Sequence, residues 1–318
     1  MRKKFAIFGI VLLVIILVPL GALGAFYQSN FARTPGQYFD SDGVQIYYTD
    51  QGEGEPVILV HGFAFNADLN WRSPGIIDAL AKDYRVIALD NRGHGLSGKP
   101  HDPAAYGEEM PRDIIRLMDH LGIEKANVIG YSMGGFITLK LATMYPERLI
   151  SAAPCGMGWG KMDDDNRALI DRIASSLEEG KGFGPLLERL NIKVEDRAVS
   201  GKLFNYMLTS TNDTLALAAA MRGMEQLEVS EEALRKNQVP MLTVVGSIDP
   251  LAEEAGPMEK VANSHELVWV EGADHVTCIR RPEYLAALEA FLADPPAPEP
   301  VVAAEPAAEE EHARDAAA

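Results

Sequence analysis

Short runs of apolar residues alternate with longer amphipathic stretches over most of this chain. The apolar runs are typical of buried β-strands, and they fall near residues 57–60, 85–89, 126–130, 149–153, 241–245 and 267–270. The stretches between them are typical of helices, at about residues 76–82, 108–121, 133–145, 252–262 and 282–292. Such alternation predicts an α/β fold, in which helices cover both faces of a mostly parallel sheet.

Two further strands are predicted ahead of this alternation. The segments Gln37 to Asp40 and Val44 to Thr49 are separated by the turn-forming residues Ser41-Asp42-Gly43, a pattern typical of an antiparallel hairpin. The hairpin brings the predicted sheet to eight strands.

The alternation stops between Pro154 and Val239, where the sequence becomes amphipathic and helical. An insertion here follows the sixth strand along the alternation, so we expect it to cover the sheet edge formed by the carboxyl ends of the strands. Ligands bind at this edge in open α/β folds, and we therefore predict a helical lid at about residues 155–238. Its large apolar side chains either line a ligand pocket or form the core of the lid: Met157, Trp159, Phe183, Leu186, Phe204, Met207 and Met221.

The chain begins with a basic and then strongly apolar segment. Arg2, Lys3 and Lys4 precede the run Phe5 to Tyr27, which holds 23 residues without a charge. As a helix this run would measure about 35 Å, enough to span the hydrocarbon core of a bilayer. We therefore predict that residues 1–30 form a membrane anchor that places the rest of the chain outside the cytoplasm. The alternative is a cleaved signal peptide, which would give a periplasmic or secreted protein.

The remainder of the chain is predicted to form one large domain and a tail. Residues 31–293 are long and apolar enough to bury a single core. After about Asp294 the sequence is dominated by Ala, Pro and Glu, so residues 294–318 are predicted to be a disordered acidic tail. The chain carries a formal net charge of −17 and lacks an extended basic face, so nucleic acid is not an expected partner. The oligomeric state stays open.

The two cysteines, Cys155 and Cys278, follow different predicted strands. A pair of cysteines in an exported protein invites a disulfide, but a third strand is expected between these two. Two strand spacings of about 4.8 Å exceed ordinary disulfide reach, so their pairing stays open. No residues have metal-ligand spacing and no glycine-rich phosphate loop occurs, so neither a metal nor a cofactor is predicted.

The segment Gly130-Tyr131-Ser132-Met133-Gly134 is the strongest candidate for chemistry. It stands between a predicted strand and a predicted helix, where a sharp turn holds a serine hydroxyl clear of its surroundings. The glycines two positions on either side of the serine remove side chains that would clash at the turn. This arrangement is typical of a nucleophile elbow, with Ser132 as the attacking group.

Two later residues complete a predicted catalytic triad. A serine hydroxyl becomes a strong nucleophile when an imidazole takes its proton and a carboxylate orients that imidazole. Asp249 and His275 each follow a predicted strand, and together with Ser132 they occur in the chain order serine, acid, histidine. Asp274 is the rival acid, although neighbouring side chains on an extended segment point to opposite sides.

An oxyanion hole is predicted where the apolar run 57–60 ends in a histidine-glycine turn. One backbone amide is expected from Met133, directly after the nucleophile, and the other from Phe63 or its neighbour Ala64. Two donors aimed at a developing oxyanion would lower the barrier of an acyl transfer by several kcal/mol.

With these residues the chain resembles the α/β-hydrolase superfamily over about residues 36–293. The matching segments are His61-Gly62-Phe63, Asp90 to Ser97, Gly130 to Gly135, and the surroundings of Asp249 and His275. The resemblance implies the fold of single-domain, lid-bearing enzymes, a group that includes esterases, lipases, lactonases and carbon–carbon bond hydrolases. Relatives that open epoxides or displace halide use an aspartate as nucleophile, so Ser132 argues against those two reactions.

The expected activity is hydrolysis of a carboxylic ester by way of an acyl-enzyme on Ser132. The expected partner is a small or medium-sized apolar ester or a related acyl substrate. The alternatives are an acyltransferase, a lactonase or a carbon–carbon bond hydrolase on the same triad, or a non-catalytic binding protein with this fold. We assign Arg92 and His94 to the fold rather than to catalysis, because glycines around them permit a tight reversal.

Overall fold

Eight strands form one mixed sheet in the computed structural model, which describes residues 33–192 and 201–297. The strands are β1 Gln37–Ser41, β2 Val44–Gln51, β3 Pro56–Val60, β4 Arg85–Leu89, β5 Ala126–Tyr131, β6 Leu149–Cys155, β7 Met241–Gly246 and β8 His265–Val270. Their order across the sheet is β1-β2-β4-β3-β5-β6-β7-β8. The pairs β1·β2 and β2·β4 are antiparallel, and the other neighbours are parallel. The predicted mostly parallel sheet of eight strands is confirmed.

Helices connect the strands and pack against both faces of the sheet. Within the described residues they are α1 Ile76–Leu80, α2 Glu109–His120, α3 Met133–Met144, α4 Asp164–Glu178, α5 Gly184–Arg189, α6 Gly201–Thr211, α7 Thr214–Gly223, α8 Glu231–Lys236, α9 Ala255–Val261 and α10 Pro282–Ala293. On β3, Ile58 and Val60 belong to the core that includes α2 and α3, whereas Val57 and Leu59 belong to the core that includes α1 and α10. Because successive side chains of a strand point to opposite faces, a strand between two helical layers is apolar throughout.

The segment between β6 and β7, residues 156–240, is a helical insertion that contains α4 to α8. Helix α4 begins at the cap residue Asp163, whose carboxylate accepts a hydrogen bond from the amide of Asn166. The buried face of α4 carries Ile173, Ala174 and Leu177, which join the same core as α2 and α3. The predicted lid falls on this insertion, and its role as a lid stays a prediction.

The predicted membrane-anchored location is wrong. None of the helices formed by residues 33–192 and 201–297 is long and apolar enough to cross a membrane. The longest of these, α4, has 15 residues. It therefore measures about 22 Å, whereas a spanning helix needs about 20 residues. The apolar run Phe5 to Tyr27, on which this location rested, lies outside the described residues, as does the predicted tail from residue 298 onward.

The two cysteines are free thiols buried on either side of β7. Cys155 ends β6 and Cys278 follows β8, so the strand expected between them is present. Burial raises the pKa of each thiol to about 12. Both side chains are therefore neutral parts of the core near neutral pH.

Candidate active site

Ser132 stands at the reversal between β5 and α3, with φ 57° and ψ −118°. A positive φ is unfavourable for a residue with a side chain, and close packing at the turn holds it in place. A Cβ at Gly134 would lie 2.0 Å from the carbonyl oxygen of Val60, and one at Gly130 would lie 2.0 Å from the carbonyl oxygen of Gly134. The turn therefore requires glycine at both positions.

The structure brings Ser132, His275 and Asp249 together in one hydrogen-bonded row. The Oγ of Ser132 lies 3.0 Å from Nε2 of His275, and Nδ1 of His275 lies 2.7 Å from Oδ2 of Asp249. A bond from Nδ1 to a carboxylate requires the proton on Nδ1, which leaves Nε2 free to accept the serine hydroxyl proton. The imidazole is 7% exposed and the carboxylate is fully buried, so water competes little for these bonds.

The two candidate acids have different surroundings. The second carboxylate oxygen of Asp249, Oδ1, accepts a hydrogen bond of 2.9 Å from the amide of Leu251, which holds the side chain towards His275. The carboxylate of Asp274 instead accepts bonds from the amides of Val276 and Thr277 and from the Thr277 hydroxyl. Asp249 is thus the acid that contacts the histidine, and Asp274 shapes the following turn.

The predicted oxyanion loop lies directly beside the elbow. A Cβ at Gly62 would be 3.3 Å from the Cβ of Ser132, so the backbone that leads into Phe63 passes next to the nucleophile. Met133 is the first residue of α3, and its amide has no carbonyl partner within the helix. Ala64 has a φ of 60°, which turns the loop immediately after Phe63. The assignment of the Phe63 and Met133 amides as the oxyanion donors stays a prediction.

Asn70 is a residue of this site that sequence reasoning missed. Its Oδ1 accepts a hydrogen bond of 3.1 Å from the amide of Gly62, and its Nδ2 is buried without a partner among the described residues. It belongs to a short π-helical turn, Asp68–Arg72, and its side chain lines the cavity in front of Ser132. No periodic pattern or motif marks this turn in the sequence, so no signal pointed to it.

His61 and His94 pack against the predicted oxyanion loop and have a structural rather than a catalytic role. In His61, Nδ1 lies 2.8 Å from the carbonyl oxygen of Gly62 and Nε2 accepts a bond from the amide of Asn91. The ring of His94 packs edge-on against His61 and Phe63, with centroids 5.3 and 5.6 Å apart. Burial lowers the pKa of both histidines to about 3, so both rings are neutral near pH 7.

A cavity of about 530 Å³ opens in front of the Ser132 hydroxyl. Its walls come from the oxyanion loop, the elbow, the His275 loop and the helical insertion, and they are largely apolar. The large side chains of the wall include Phe136, Trp159, Ile170, Ile173, Phe183 and Leu186. The predicted pocket residues Met157 and Met221 also line it, whereas the side chains of Phe204 and Met207 lie outside the described residues. Within residues 33–192 and 201–297, no group of three or more His, Cys, Asp or Glu could hold a metal ion.

Comparison with known proteins identifies relatives of this arrangement. A family model described as alpha/beta hydrolase fold matches residues 55–174. A solved thermophilic esterase from Thermogutta terrifontis has a TM-score of 0.69 and 27% sequence identity, over 82% of this chain and 98% of its own. The 2-hydroxy-6-oxo-6-(2'-aminophenyl)hexa-2,4-dienoic acid hydrolase of Metapseudomonas resinovorans is 28% identical, over 79% of this chain and 88% of its own.

A third relative is similar over a shorter segment. The dihydrolipoyllysine-residue acetyltransferase component of the acetoin cleaving system of Cupriavidus necator is 40% identical over 126 residues, 38% of this chain. The match spans 33% of the length of that component, so it concerns one part of a larger protein. The two relatives that are similar over most of their length are hydrolase enzymes. The family model, the eight-stranded sheet and these relatives together show that the chain belongs to the α/β-hydrolase superfamily.

Proposed function

We propose that this protein is a serine hydrolase that cleaves a carboxylic ester through an acyl-enzyme on Ser132. The observation that carries the proposal is the row of hydrogen bonds from Ser132 through His275 to the buried Asp249, at 3.0 and 2.7 Å, beside an apolar cavity. Each atom of this row has the position that nucleophilic catalysis by a serine requires.

Acylation begins when Oγ of Ser132 attacks the carbonyl carbon of the ester. Its proton passes to Nε2 of His275, and Asp249 stabilises the imidazolium that forms. The carbonyl oxygen becomes an oxyanion, for which the amides of Phe63 and Met133 are the proposed donors. When this intermediate collapses, the bond to the alcohol oxygen breaks and the departing alcohol takes the proton from Nε2.

Deacylation repeats the same steps with water. His275 takes a proton from a water molecule, whose oxygen attacks the acyl carbon bound to Ser132. The second tetrahedral intermediate releases the carboxylic acid, and Oγ of Ser132 regains the proton from Nε2. Both halves of the reaction therefore depend on the distance between Oγ and Nε2.

The cavity supports an apolar substrate of small or medium size. Its volume of about 530 Å³ lies within the range of roughly 300–1,000 Å³ that is usual for small-molecule sites. Phe136, Trp159 and Phe183 give it an aromatic and aliphatic wall, so burial of an acyl chain would be favourable. We infer that activity increases with acyl length until the chain fills the cavity.

A second candidate is hydrolysis of a 2-hydroxy-6-oxo-dienoic acid, the kind of compound named for the Metapseudomonas resinovorans relative. One feature of the cavity favours an acidic substrate, because Lys161, Arg189 and Arg280 lie in its wall. Arg189 is 3.2 Å from the carboxylate of Glu254, however, so its charge is partly neutralised. The apolar remainder of the wall makes the ester our first choice.

The test compares both substrate classes with the full-length protein. We expect hydrolysis of 4-nitrophenyl esters, with kcat/KM rising from the acetyl to the medium-chain esters. An aryl-substituted 2-hydroxy-6-oxohexa-2,4-dienoic acid is the competing substrate. If its kcat/KM exceeds that of every ester by about tenfold or more, the second candidate replaces the first.

The control variant is Ser132→Ala, which removes the attacking oxygen and leaves the cavity intact. We expect kcat for the preferred ester to fall by about 10⁴-fold or more. Equal rates in the variant and the wild type would show that Ser132 is not the nucleophile, and the proposed mechanism would then be wrong.

A further inference from the structure

Tyr131, the residue before the proposed nucleophile Ser132, is hydrogen-bonded to the backbone of His275, the proposed base. The hydroxyl of Tyr131 donates a hydrogen bond of 2.7 Å to the carbonyl oxygen of His275. Tyr131 is 4% exposed and His275 is 6% exposed, so this bond is sheltered from water. It joins two segments that are 144 residues apart in the chain.

The tyrosine ring occupies a fitted space below the histidine loop. Gly156, with a φ of 59°, leaves room for the ring, because a Cβ at this position would lie 2.6 Å from Tyr131 Cε2 and Cζ. The ring of Tyr284 packs edge-on against Tyr131 with centroids 5.8 Å apart. The Tyr131 ring also lies against the His275 imidazole, at a centroid distance of 5.5 Å. The ring is thus held on several sides, and its hydroxyl has little freedom to leave the carbonyl.

The hydroxyl stays protonated throughout the usual pH range. Burial raises the pKa of Tyr131 well above its ordinary value, and the nearby Cys278 and Asp249 side chains raise it further. A protonated hydroxyl is a donor, as a bond to a backbone carbonyl requires. The hydroxyl can therefore donate this bond to the His275 carbonyl near neutral pH.

We propose that Tyr131 is a positioning residue that sets the distance between Nε2 of His275 and Oγ of Ser132, an inference that rests on the proposed function. Since Tyr131 is covalently bonded to Ser132, its hydroxyl ties the loop of the base directly to the turn of the nucleophile. At the strained elbow the chain reverses, with the Ser132 hydroxyl facing the cavity and the Tyr131 hydroxyl facing the loop.

The hydrogen bond between Tyr131 and His275 affects the rate of the catalytic step rather than the affinity for substrate. Proton transfer depends steeply on the separation and angle of donor and acceptor, and a displacement of about 1 Å can cost roughly a hundredfold in rate. Tyr131 is one of the residues around the cavity, but its hydroxyl is bonded to the backbone carbonyl of His275, so loss of the hydroxyl leaves the aromatic and aliphatic side chains of the wall in place. We therefore expect kcat to change and KM to stay the same.

The experiment is Tyr131→Phe in the full-length protein, with Tyr284→Phe as the matched control. Tyr284 is a second buried tyrosine in the same cluster, but its hydroxyl lies near the Cys155 thiol and makes no hydrogen bond to His275. Active sites are titrated with a fluorophosphonate that labels Ser132, so that kcat is expressed per competent site. We expect about a tenfold fall in kcat for Tyr131→Phe, which corresponds to one lost hydrogen bond of about 1.4 kcal/mol.

Four further measurements distinguish a positioning role of Tyr131 from a general structural effect. The titre of labelled sites and KM are expected to stay within about twofold of wild type, while the rate of fluorophosphonate labelling falls in parallel with kcat. Tyr131→4-aminophenylalanine keeps an N–H donor at the same place, and we expect it to restore most of kcat. This variant also provides the test if Tyr131→Phe does not fold.

The inference is overturned if Tyr131→Phe and Tyr284→Phe have the same kcat per labelled site, or if the amino analogue behaves like phenylalanine. Such a result would leave the proposed function intact as long as Ser132→Ala is inactive. Activity in Ser132→Ala would instead remove the function on which the inference rests. The two failures are therefore distinguishable.

Discussion

At the scale of single residues, the buried carboxylate of Asp249 is the group whose charge most directly supports the proposed base. Asp249→Asn keeps the shape of the side chain but offers His275 an amide, which favours the wrong tautomer of the ring. We expect kcat for the preferred ester to fall by about four orders of magnitude, as for the same change in a serine protease. Steady-state hydrolysis of that ester is the measurement.

The matched control for this change is Asp274→Asn, one residue before the histidine. Its carboxylate caps the turn formed by Val276 and Thr277, so we expect lower thermal stability and a loss of kcat below about tenfold. If Asp274→Asn were the more damaging change to kcat, Asp274 would be the orienting acid. The roles given to the two aspartates would then be exchanged.

The residues of the site that stand in strong local patterns can be predicted from the sequence. Ser132 lies in a glycine-framed turn after a buried strand, and His275 and Asp249 follow strands in the expected order. Asn70 and the hydroxyl of Tyr131 were not reachable in this way. Their hydrogen-bond partners, Gly62 and His275, are brought near them only when the chain folds. Neither contact corresponds to a periodic or compositional pattern in the sequence.

At the scale of elements, two helices that both carry glycine as their second residue provide a direct comparison. In α3, a Cβ at Gly134 would be 2.0 Å from the backbone oxygen of Val60, whereas in α9 a Cβ at Gly256 would meet nothing within 4 Å. We expect Gly134→Ala to destabilise the protein by about 2 kcal/mol or more, because strand and helix must separate. Gly256→Ala is expected to be neutral or to stabilise by up to about 1 kcal/mol.

Urea unfolding of both variants, followed by circular dichroism, measures these differences. Similar free energies of unfolding for the two variants would show that α3 can move away from β3 at little cost. The requirement for glycine at the elbow would then be mistaken. Activity should follow the same order, since a displaced α3 would also move Ser132 and Met133.

The strands of the sheet lie within two residues of their predicted positions, because strands buried on both faces are continuous apolar runs. β3 is an example, since Val57, Ile58, Leu59 and Val60 are all fully buried. The order of the strands was harder to predict. In the sheet β4 lies between β2 and β3. This placement depends on how the loops and helices between the strands cross the sheet, and no pattern within a strand encodes it.

At the scale of the whole molecule, the cavity is a product of the fold rather than of any one segment. Residues from the oxyanion loop, α3, the insertion and the loop after β8 meet around Ser132, and they come from positions 62 to 280 of the chain. The sequence predicts Met157, Trp159, Phe183, Leu186 and Met221 as residues of either the pocket or the lid core, and the structure shows that all five line the cavity. Whether such a residue lines the pocket or lies in the core of the insertion depends on how the insertion packs on the sheet. That packing involves contacts between residues far apart in the sequence.

Two buried histidines, His61 and His94, and the half-buried His265 make the stability of the whole molecule depend on pH. Burial lowers the pKa of His61 and His94 to about 3 and that of His265 to about 4, whereas an unfolded histidine titrates near 6.5. Below about pH 6.5 the unfolded chain therefore binds more protons than the folded one. The stabilisation from each neutral ring is complete above this pH and is lost progressively as the pH falls towards the folded pKa.

We expect the free energy of unfolding to decrease between pH 7 and pH 5 by up to about 1.4 kcal/mol per pH unit for each of these three histidines. The control is His265→Gln, which keeps an N–H donor for the Thr243 hydroxyl, 2.9 Å from His265 Nε2, and cannot take up a proton in this range. Its stability should fall less steeply with decreasing pH than that of the wild type, as measured by urea unfolding at pH 7, 6 and 5. Other titrating groups are common to both proteins, so the difference between the two slopes isolates His265. Parallel slopes would mean that this histidine is protonated as easily in the folded chain as in the unfolded one, and its burial would then carry no penalty for charge.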